Sequence, residues 1–393
     1  MKDLRKYRFA EVLTRELTRM LSDRVYLFNG LIAPFIGFGM IAWIFSANVP
    51  RELPVAIVDL DHTALSRQIT RTVDATSIAR ANRRYPDLLQ ASQALAEGKT
   101  DAVICIPEYT ERNILRGQNA PVAVYLNNAW LIKSGLLKSG IQRSLGSLSA
   151  GLKIRTMMMN GENEKQANAK LMAVRLRPVL LFNPYTSYQY YLTLLLLPVL
   201  FTVFVLFGTI YATGSELQYG SGSEWMEASG NKLIPAITGK LLPHTVVFCI
   251  QAMAMNLLFF KVLGLPLNGH LGLILVSELM LILAYQFMGI LFVSLMKNMR
   301  LALSIASAYT MLAITYAGFT FPLFGMPAVA KVFSRIFPFS YWLELFSGQT
   351  LRGEPAANAL IQLFFISLFI LAGAFFAPRL KYIVSTSEYR GKI

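Results

Sequence analysis

The sequence predicts an α-helical integral membrane protein with six transmembrane helices and an α/β extracytoplasmic domain inserted between the first and second spans. Composition is the first observation: 54% of the 393 residues are hydrophobic and only 15% are charged, which is too apolar for an ordinary soluble protein. The second is a set of six apolar runs, each long enough to cross about 30 Å of hydrocarbon. The third is a far more polar segment, 48–189, between the first two runs.

The runs divide the chain into four parts. They cover residues 25–47, 191–211, 243–263, 271–296, 301–319 and 358–377. The predicted parts are a cytoplasmic amphipathic interfacial helix at 1–24, the first transmembrane helix at 25–47, the extracytoplasmic α/β domain at 48–189, and a membrane domain with five transmembrane helices at 190–393. Within the last part we expect a cytoplasmic coupling loop at 212–242 and an outer re-entrant segment at 320–357.

Basic residues in the short flanks set the predicted orientation. Lys and Arg are concentrated before the first run, after the fourth run and in the C-terminal tail, and the loop 264–270 has none. The positive-inside rule then places both termini in the cytoplasm, and an even number of spans agrees. The first run is longer than the apolar core of a signal peptide, which favours an uncleaved anchor over a cleaved signal.

Helical spacing predicts the interfacial helix before the first span. Its apolar residues recur three or four positions apart, with the basic residues elsewhere on the helix. The apolar set is Phe9, Val12, Leu13, Leu17, Met20 and Leu21, and the basic set is Arg8, Arg15 and Arg19. Such a helix can lie at the inner headgroups and can also contact a cytoplasmic partner.

Alternating strand and helix patterns predict a small α/β domain. We expect strands at 54–59, 101–107 and 121–126, and helices at 64–79, 86–97 and 108–115. A long amphipathic helix is expected from Trp130 onward, because Leu137, Ile141, Leu145, Leu148 and Leu152 keep helical spacing.

The predicted inner loop is the cytoplasmic segment with net negative charge. Its Glu216, Glu224 and Glu227, with an exposed Trp225, would form a docking surface. The alternative is a solvated loop with an interfacial Trp. On the opposite side, the Pro-rich and aromatic segment predicts two short helices, at 328–336 and 341–351, instead of a seventh span.

No catalytic, cofactor or metal site is predicted in this chain. The nearest approach to an ATP-binding loop, Thr238-Gly239-Lys240, lacks the earlier Gly and the following Ser or Thr. The Asp59-Leu-Asp61-His62 stretch follows a strand, and we interpret it as helix capping in preference to a metal site. Cys105 and Cys249 form no metal pattern and are interpreted as packing residues.

Glu278 is the intramembrane polar candidate. A carboxylate within a span is costly unless it is paired, protonated or facing water. It either lines the transport route or a subunit interface, or reaches the headgroups. His244, near the start of the third run, is interpreted as interfacial and not as a proton relay.

Three local patterns, in their order against the spans, resemble the permease subunit of a type-2 ABC exporter, in the branch with a large extracytoplasmic domain between spans one and two. They are Val55-Ala-Ile-Val-Asp-Leu-Asp-His62, the inner loop with Glu216 and Gly239-Lys240-Leu241-Leu242-Pro243, and Phe337-Pro-Phe-Ser-Tyr341 followed by Leu351-Arg352-Gly353. The resemblance implies that two permeases pair, and that each docks an ABC ATP-binding subunit, which carries ATP and Mg, through the inner loop and the N-terminal interfacial helix. The implied coupling residues are Glu216, Glu224, Trp225, Glu227, Gly239 and Lys240.

The expected function is export of an amphipathic or hydrophobic substrate across a bacterial inner membrane, without catalysis by this chain. Expected partners are the ATP-binding subunit, a second permease copy or a paralogue, membrane lipids and, at the outer domain, cargo or a periplasmic adaptor. No nucleic-acid partner is expected. A proton-coupled secondary transporter, and a membrane receptor or scaffold that uses the outer domain, are the alternatives.

Overall fold

The computed structural model describes residues 2–46, 50–116, 118–159, 161, 163, 181–182, 187–318 and 321–386. The chain forms two compact units. The helical unit consists of Met1–Asn48 and Leu180–Ile393, and the α/β unit consists of Val49–Val179.

The helices of the helical unit are numbered along the whole chain, so α3 to α6 fall in the α/β unit. Those of the helical unit are α1 (Lys2–Ser22), α2 (Arg24–Ile44), α7 (Tyr188–Gln218), α8 (Gly222–Ala228), α9 (Leu233–Leu257), α10 (Leu271–Met296), α11 (Met299–Tyr316), α12 (Ala328–Ser334), α13 (Pro338–Ser347) and α14 (Ala356–Ser385). Single π-helical turns lie within α2 and continue α9 and α13.

Within the described residues, five helices are long and apolar enough to cross a membrane. They are Arg24–Ile44, Gln189–Gln218, Leu233–Val262, Leu271–Met296 and Ala356–Ser385. The prediction of a helical membrane protein is therefore confirmed, while the count of six spans is not. The remaining predicted run forms α11, which is not among the five and carries Arg300 in its first turn.

The N-terminal segment is helical, as predicted, but its polar side is not uniformly solvated. Val12 and Glu16 of α1 are buried against the rest of the helical unit, whereas Leu17 and Leu21 are exposed. The charged face of this amphipathic helix therefore packs on protein, and part of its apolar face points outward.

The segment 212–242 was predicted to be a loop, and this prediction is wrong. The segment is largely helical: α7 continues to Gln218, α8 follows, and α9 begins at Leu233. The glycine and serine residues of this segment are typical of a loop. Helix α8 forms in the structure nevertheless, because it packs closely against α14. A Cβ added at Gly222 would lie 2.6 Å from the Val384 carbonyl oxygen, so this approach requires glycine.

The Pro-rich segment forms two short helices, α12 and α13, close to the predicted positions. Phe339, Trp342 and Phe346 of α13 are fully buried, and the rings of Trp342 and Phe346 stack with centroids 4.6 Å apart. Val329 and Val332 of α12 are exposed. The backbone of α13 is thus covered by protein.

The α/β unit is built on a four-stranded sheet. Its strands are β1 (Leu53–Asp59), β2 (Ala79–Arg84), β3 (Ala102–Ile106) and β4 (Ala123–Leu126), in the order β2-β1-β3-β4. β1 pairs in parallel with β2 and β3, with Val55 opposite Ala102, and β4 pairs antiparallel to β3.

In the described part of the unit, the sheet is accompanied by the helices α3 (Ala64–Asp74), α4 (Leu88–Ala96), α5 (Thr110–Leu115) and α6 (Leu131–Met159). Leu65 of α3 and Leu137 of α6 share one apolar core with Val55 of β1. Ala91 of α4 packs with Val58 of the same strand in a second core. Side chains alternate along a strand, so β1 is covered on both faces.

The strand β2 was not predicted from the sequence. Arg80, Arg83 and Arg84 make this strand polar, and only Ala79 and Ala81 are buried. Backbone pairing with β1 forms an edge strand here without strand-favouring side chains.

Asp59 and Asp61 stabilise the turn between β1 and α3, whereas the cap of α3 itself is Thr63, whose hydroxyl accepts from the Ser66 backbone N–H. The Asp59 carboxylate accepts hydrogen bonds from the Ser66 hydroxyl at 2.8 Å and from the His62 backbone N–H at 3.0 Å. Asp61 accepts from the Thr63 hydroxyl at 2.6 Å. Among the described residues no group of three or more potential ligands could hold a metal ion.

Candidate coupling site

Charged side chains meet where α1, α7 and α9 pack together within the helical unit. We call this group the charged cluster; it comprises Arg15, Glu16, Arg19, Glu216, Lys240 and His244. Helix α1 supplies the first three residues, α7 supplies Glu216, and α9 supplies the last two.

Helical spacing brings these side chains onto facing surfaces. Arg15 and Arg19 are four residues apart, as are Lys240 and His244, so each pair lies on one side of its helix. Gly239 lets the two helices approach: an added Cβ would lie 2.9 Å from the Val12 side chain. A larger residue there would push α1 away from α9.

Glu216 is the acceptor at the centre of the cluster. The two guanidinium nitrogens of Arg15 bind its two carboxylate oxygens at 2.7 and 3.0 Å, a bidentate arrangement. Arg19 donates to the same carboxylate at 2.5 Å and Lys240 at 2.7 Å. The Glu216 side chain is 0% exposed, so all three cations act on a carboxylate that water does not reach.

Glu16 forms the second anionic centre. Lys240 donates to it at 2.6 Å, the His244 Nε2 lies 2.9 Å away, and the Tyr26 hydroxyl donates at 3.2 Å. Burial opposes ionisation of this carboxyl, but the charge of Lys240 and the contacts with His244 outweigh burial and lower its pKa to about 2. Glu16 is therefore an anion at neutral pH.

Lys240 joins the two anionic centres and has no exposed side-chain surface. Its ammonium nitrogen also lies 4.9 Å from the ring centroid of Trp225 in α8. The indole N–H donates to the Ala236 carbonyl at 3.1 Å, which fixes the ring against α9. A buried ammonium group needs such partners, because desolvation alone would be strongly unfavourable.

A family model described as ABC-2 family transporter protein matches residues 24–377. The chain belongs to the ABC-2 transporter family. No curated protein matches it. An ABC-2 permease is a multi-pass membrane component of an ABC transporter, is not itself catalytic, and implies an ABC ATP-binding partner subunit. The matched region contains Glu216 and Lys240, while α1 lies before it.

The structure brings four of the six implied coupling residues of this ABC-2 permease into its interior. Glu216, Gly239 and Lys240 are buried, and so is Trp225, at 1% exposed. The expectation of an exposed Trp225 was wrong, because the indole packs under the Lys240 ammonium group. A Trp in this place supports the cluster from within and is not a surface contact.

Two of the six implied residues remain at the surface. The Glu224 side chain is 74% exposed and Glu227 is also exposed, three residues later on α8. Glu224 lies 3.9 Å from Arg15, so the surface of α8 adjoins the buried cluster. An exposed charge pair at this distance contributes little to stability.

The buried contacts of α1 were not predicted from the sequence. Arg15 and Arg19 were predicted only as basic residues of an amphipathic helix, Glu16 was not singled out, and His244 was interpreted as interfacial. His244 is instead buried against Glu16. The four-residue spacing of Lys240 and His244 could have indicated the cluster, because it places two nitrogen-containing side chains on one face of α9.

Glu278 lies apart from the charged cluster and does not reach the surface of the helical unit. It is 2% exposed, and the Asn256 side-chain amide donates to its Oε2 at 2.7 Å. Its Oε1 and the Asn256 Oδ1 have no hydrogen-bond partner among the described residues. The burial of Glu278 therefore does not support the interpretation in which its side chain reaches the headgroups.

Proposed function

We propose that this ABC-2 permease is the membrane subunit of an ATP-driven exporter. It would move an amphipathic or hydrophobic substrate out of the cytoplasm or the inner leaflet of a bacterial inner membrane. A separate ATP-binding subunit would supply the energy, and a second permease, either another copy or a paralogue, would complete the transport path. The family match supports the assignment to an ABC transporter. The charged cluster supports the proposed coupling between the ATP-binding subunit and the helices of the permease.

The proposed topology has six spans, with α11 as the fifth. Both termini are cytoplasmic and the α/β unit is extracytoplasmic. The basic flanks of the chain support this orientation through the positive-inside rule. It places α1 and α8 on the cytoplasmic side.

The observation that carries the coupling proposal is the buried cluster that ties α1 to α7 and α9. Lys240 and Glu216 lie on the two helices that flank α8, and Arg15 binds Glu216 from α1. Separating a buried ion pair is unfavourable, because it leaves an uncompensated charge in a site shielded from water. The segments of α1, α7 and α9 that carry the cluster should therefore move together.

Glu224 and Glu227 of α8 are the proposed contacts with the ATP-binding subunit. Closure of two ATP-bound subunits would push on α8, and the charged cluster would pass the displacement to α7 and α9. A ligand shifts such an equilibrium only through its different affinity for the two states. The subunit must therefore contact α8 differently before and after closure.

Gentle purification of the tagged chain from its native membrane tests the exporter assignment. We expect a co-purifying Walker-motif protein and vanadate-sensitive ATP hydrolysis. A chain that is isolated alone and shows no nucleotide dependence in liposomes would contradict the proposal.

The double variant Glu224→Lys/Glu227→Lys tests the docking surface. We expect it to lose the co-purifying ATPase while the permease remains folded, because both side chains are exposed. The matched control is Glu97→Lys/Glu108→Lys, which makes the same charge change at exposed positions of the α/β unit. Equal ATPase recovery in both variants would exclude α8 as the docking surface. Glu216 and Trp225 are unsuitable for this test because both are buried.

A further inference from the structure

The α/β unit contains an elongated groove between α6 and β4. Its volume is about 1230 Å³. It follows α6 from Lys138 to Met157, which corresponds to about 28 Å at about 1.5 Å per helical residue. The acyl region of one membrane leaflet is about 15 Å thick, half of the hydrocarbon core. The groove is thus long enough for an extended acyl chain.

The groove is lined mainly by apolar side chains that the described residues of the unit leave partly exposed. Val122 and Val124 of the β4 segment face Leu145, Leu148 and Leu152 of α6, and all five are half-buried. These leucines keep the helical spacing that the sequence shows, but only part of the stripe is used to pack α6 on the sheet. The remaining apolar surface is available to a ligand.

The charged groups of the lining are all basic. Lys138 and Lys153 lie near opposite ends of the groove, and none of the lining residues is acidic. Neither lysine forms an ion pair within the described part of the chain. The sequence of the whole unit has 18 basic and 11 acidic residues, a net charge of +7. An anionic group near either lysine would therefore be attracted electrostatically.

We propose that this groove binds an anionic amphiphile, with its apolar chain along α6 and its acidic head at Lys138 or Lys153. The combination of a long apolar wall and two ammonium groups that form no ion pair with the described residues carries this assignment. Only the further step, that such an amphiphile is exported cargo, rests on the proposed function.

Photo-crosslinking of the full-length protein in nanodiscs of zwitterionic lipid tests the proposal. The probe is a long-chain fatty acid that carries a diazirine on the chain and an alkyne for detection. We expect labelled peptides from β4 and α6, and competition by an unmodified fatty acid but not by the corresponding fatty alcohol. The assay needs neither ATP nor a partner, so it can succeed if the export assignment fails.

A groove-filling variant provides the first comparison. A Cβ added at Gly146 or at Gly151 would meet no atom within 4 Å, so both positions of α6 accept a side chain. Only Gly146 lines the groove. We expect Gly146→Phe to reduce labelling of the α/β unit at least fivefold and Gly151→Phe to leave it unchanged.

A charge-reversal variant provides the second comparison. Lys138→Glu/Lys153→Glu should abolish the preference for the acid over the alcohol. Arg143→Glu/Arg155→Glu makes the same charge change on α6 outside the lining and should preserve it. Labelling confined to the membrane helices, or equal in Gly146→Phe and Gly151→Phe, would overturn the proposal. Loss of labelling in both charge-reversal variants would reduce it to nonspecific attraction by the basic unit, which also overturns it.

Discussion

The Lys240 ammonium group lies 2.7 Å from the Glu216 carboxylate, although 24 residues and the helix α8 separate them in the chain. The same ammonium group binds Glu16 at 2.6 Å. One buried cation thus holds together two carboxylates from different helices. This relationship makes the junction of α1, α7 and α9 a single electrostatic unit, and it leads to several expected outcomes.

Lys240→Met should destabilise the helical unit by about 3 to 5 kcal/mol, because Glu16 loses its buried ammonium partner. Glu216 would keep Arg15 and Arg19, so the larger effect falls on Glu16. Thermal unfolding in detergent measures the change. Lys232→Met, at an exposed position before the same helix, is the control and should change stability little. Equal effects of the two substitutions would show that the buried ion pairs do not stabilise this junction.

Acid should destabilise the wild-type protein partly through Glu16. Its folded-state pKa is below the ordinary value of 4.5, so ionisation stabilises the fold above that value and the contribution is lost as the pH falls toward about 2. Glu16→Gln should therefore lose less stability than the wild type between pH 5 and pH 3. Unfolding temperatures across this range provide the measurement, with Glu11→Gln, at an exposed position of α1, as the control. A wild-type profile in Glu16→Gln would contradict the assignment.

Gly239→Ala should separate α1 from α9. The new Cβ would lie 2.9 Å from the Val12 side chain, and overpacking of this kind costs about 1 to 3 kcal/mol. Gly135→Ala in α6 has open space around the added atom and should be neutral or stabilising by up to about 1 kcal/mol. The comparison uses the melting temperatures of both variants and the ATPase activity of the ATP-binding subunit that co-purifies with each. Full stability and full ATPase activity of Gly239→Ala would contradict the close packing of α1 on α9.

The pair of Glu278 and Asn256 should behave as a coupled unit. Asn256→Leu removes the one hydrogen bond that the described part of the chain gives the buried carboxyl group, and should cost about 1 to 3 kcal/mol. Asn256→Leu/Glu278→Leu should recover much of this loss, because replacing both partners leaves no unpaired group. A double-mutant cycle of unfolding free energies measures the coupling. Additive effects would mean that the hydrogen bond contributes nothing.

Local patterns identified much of the fold. Apolar runs of sufficient length located the five membrane-length helices, and the alternating patterns located β1, β3 and β4 within about two residues. Such features depend on residues that are close in sequence. The strand β2 escaped because its backbone pairing with β1, and not its arginine-rich side chains, defines it.

The coupling residues show the limit of sequence patterns most clearly. Sequence suggested that Glu216, Trp225 and Lys240 matter together, but placed them on a polar loop. Burial reverses that interpretation, since Trp225 lies beneath Lys240 and only Glu224 and Glu227 remain at the surface of α8.

The sequence by itself determined that this chain is a helical membrane protein and that it resembles an ABC exporter permease, because hydropathy and helical spacing act over short distances along the chain. Tertiary structure alone decided that Arg15, Glu16 and Arg19 complete a buried site with Glu216 and Lys240. The reason is physical: a charged residue is stable in the interior only beside opposite charges, and those partners lie about 200 residues away along the chain.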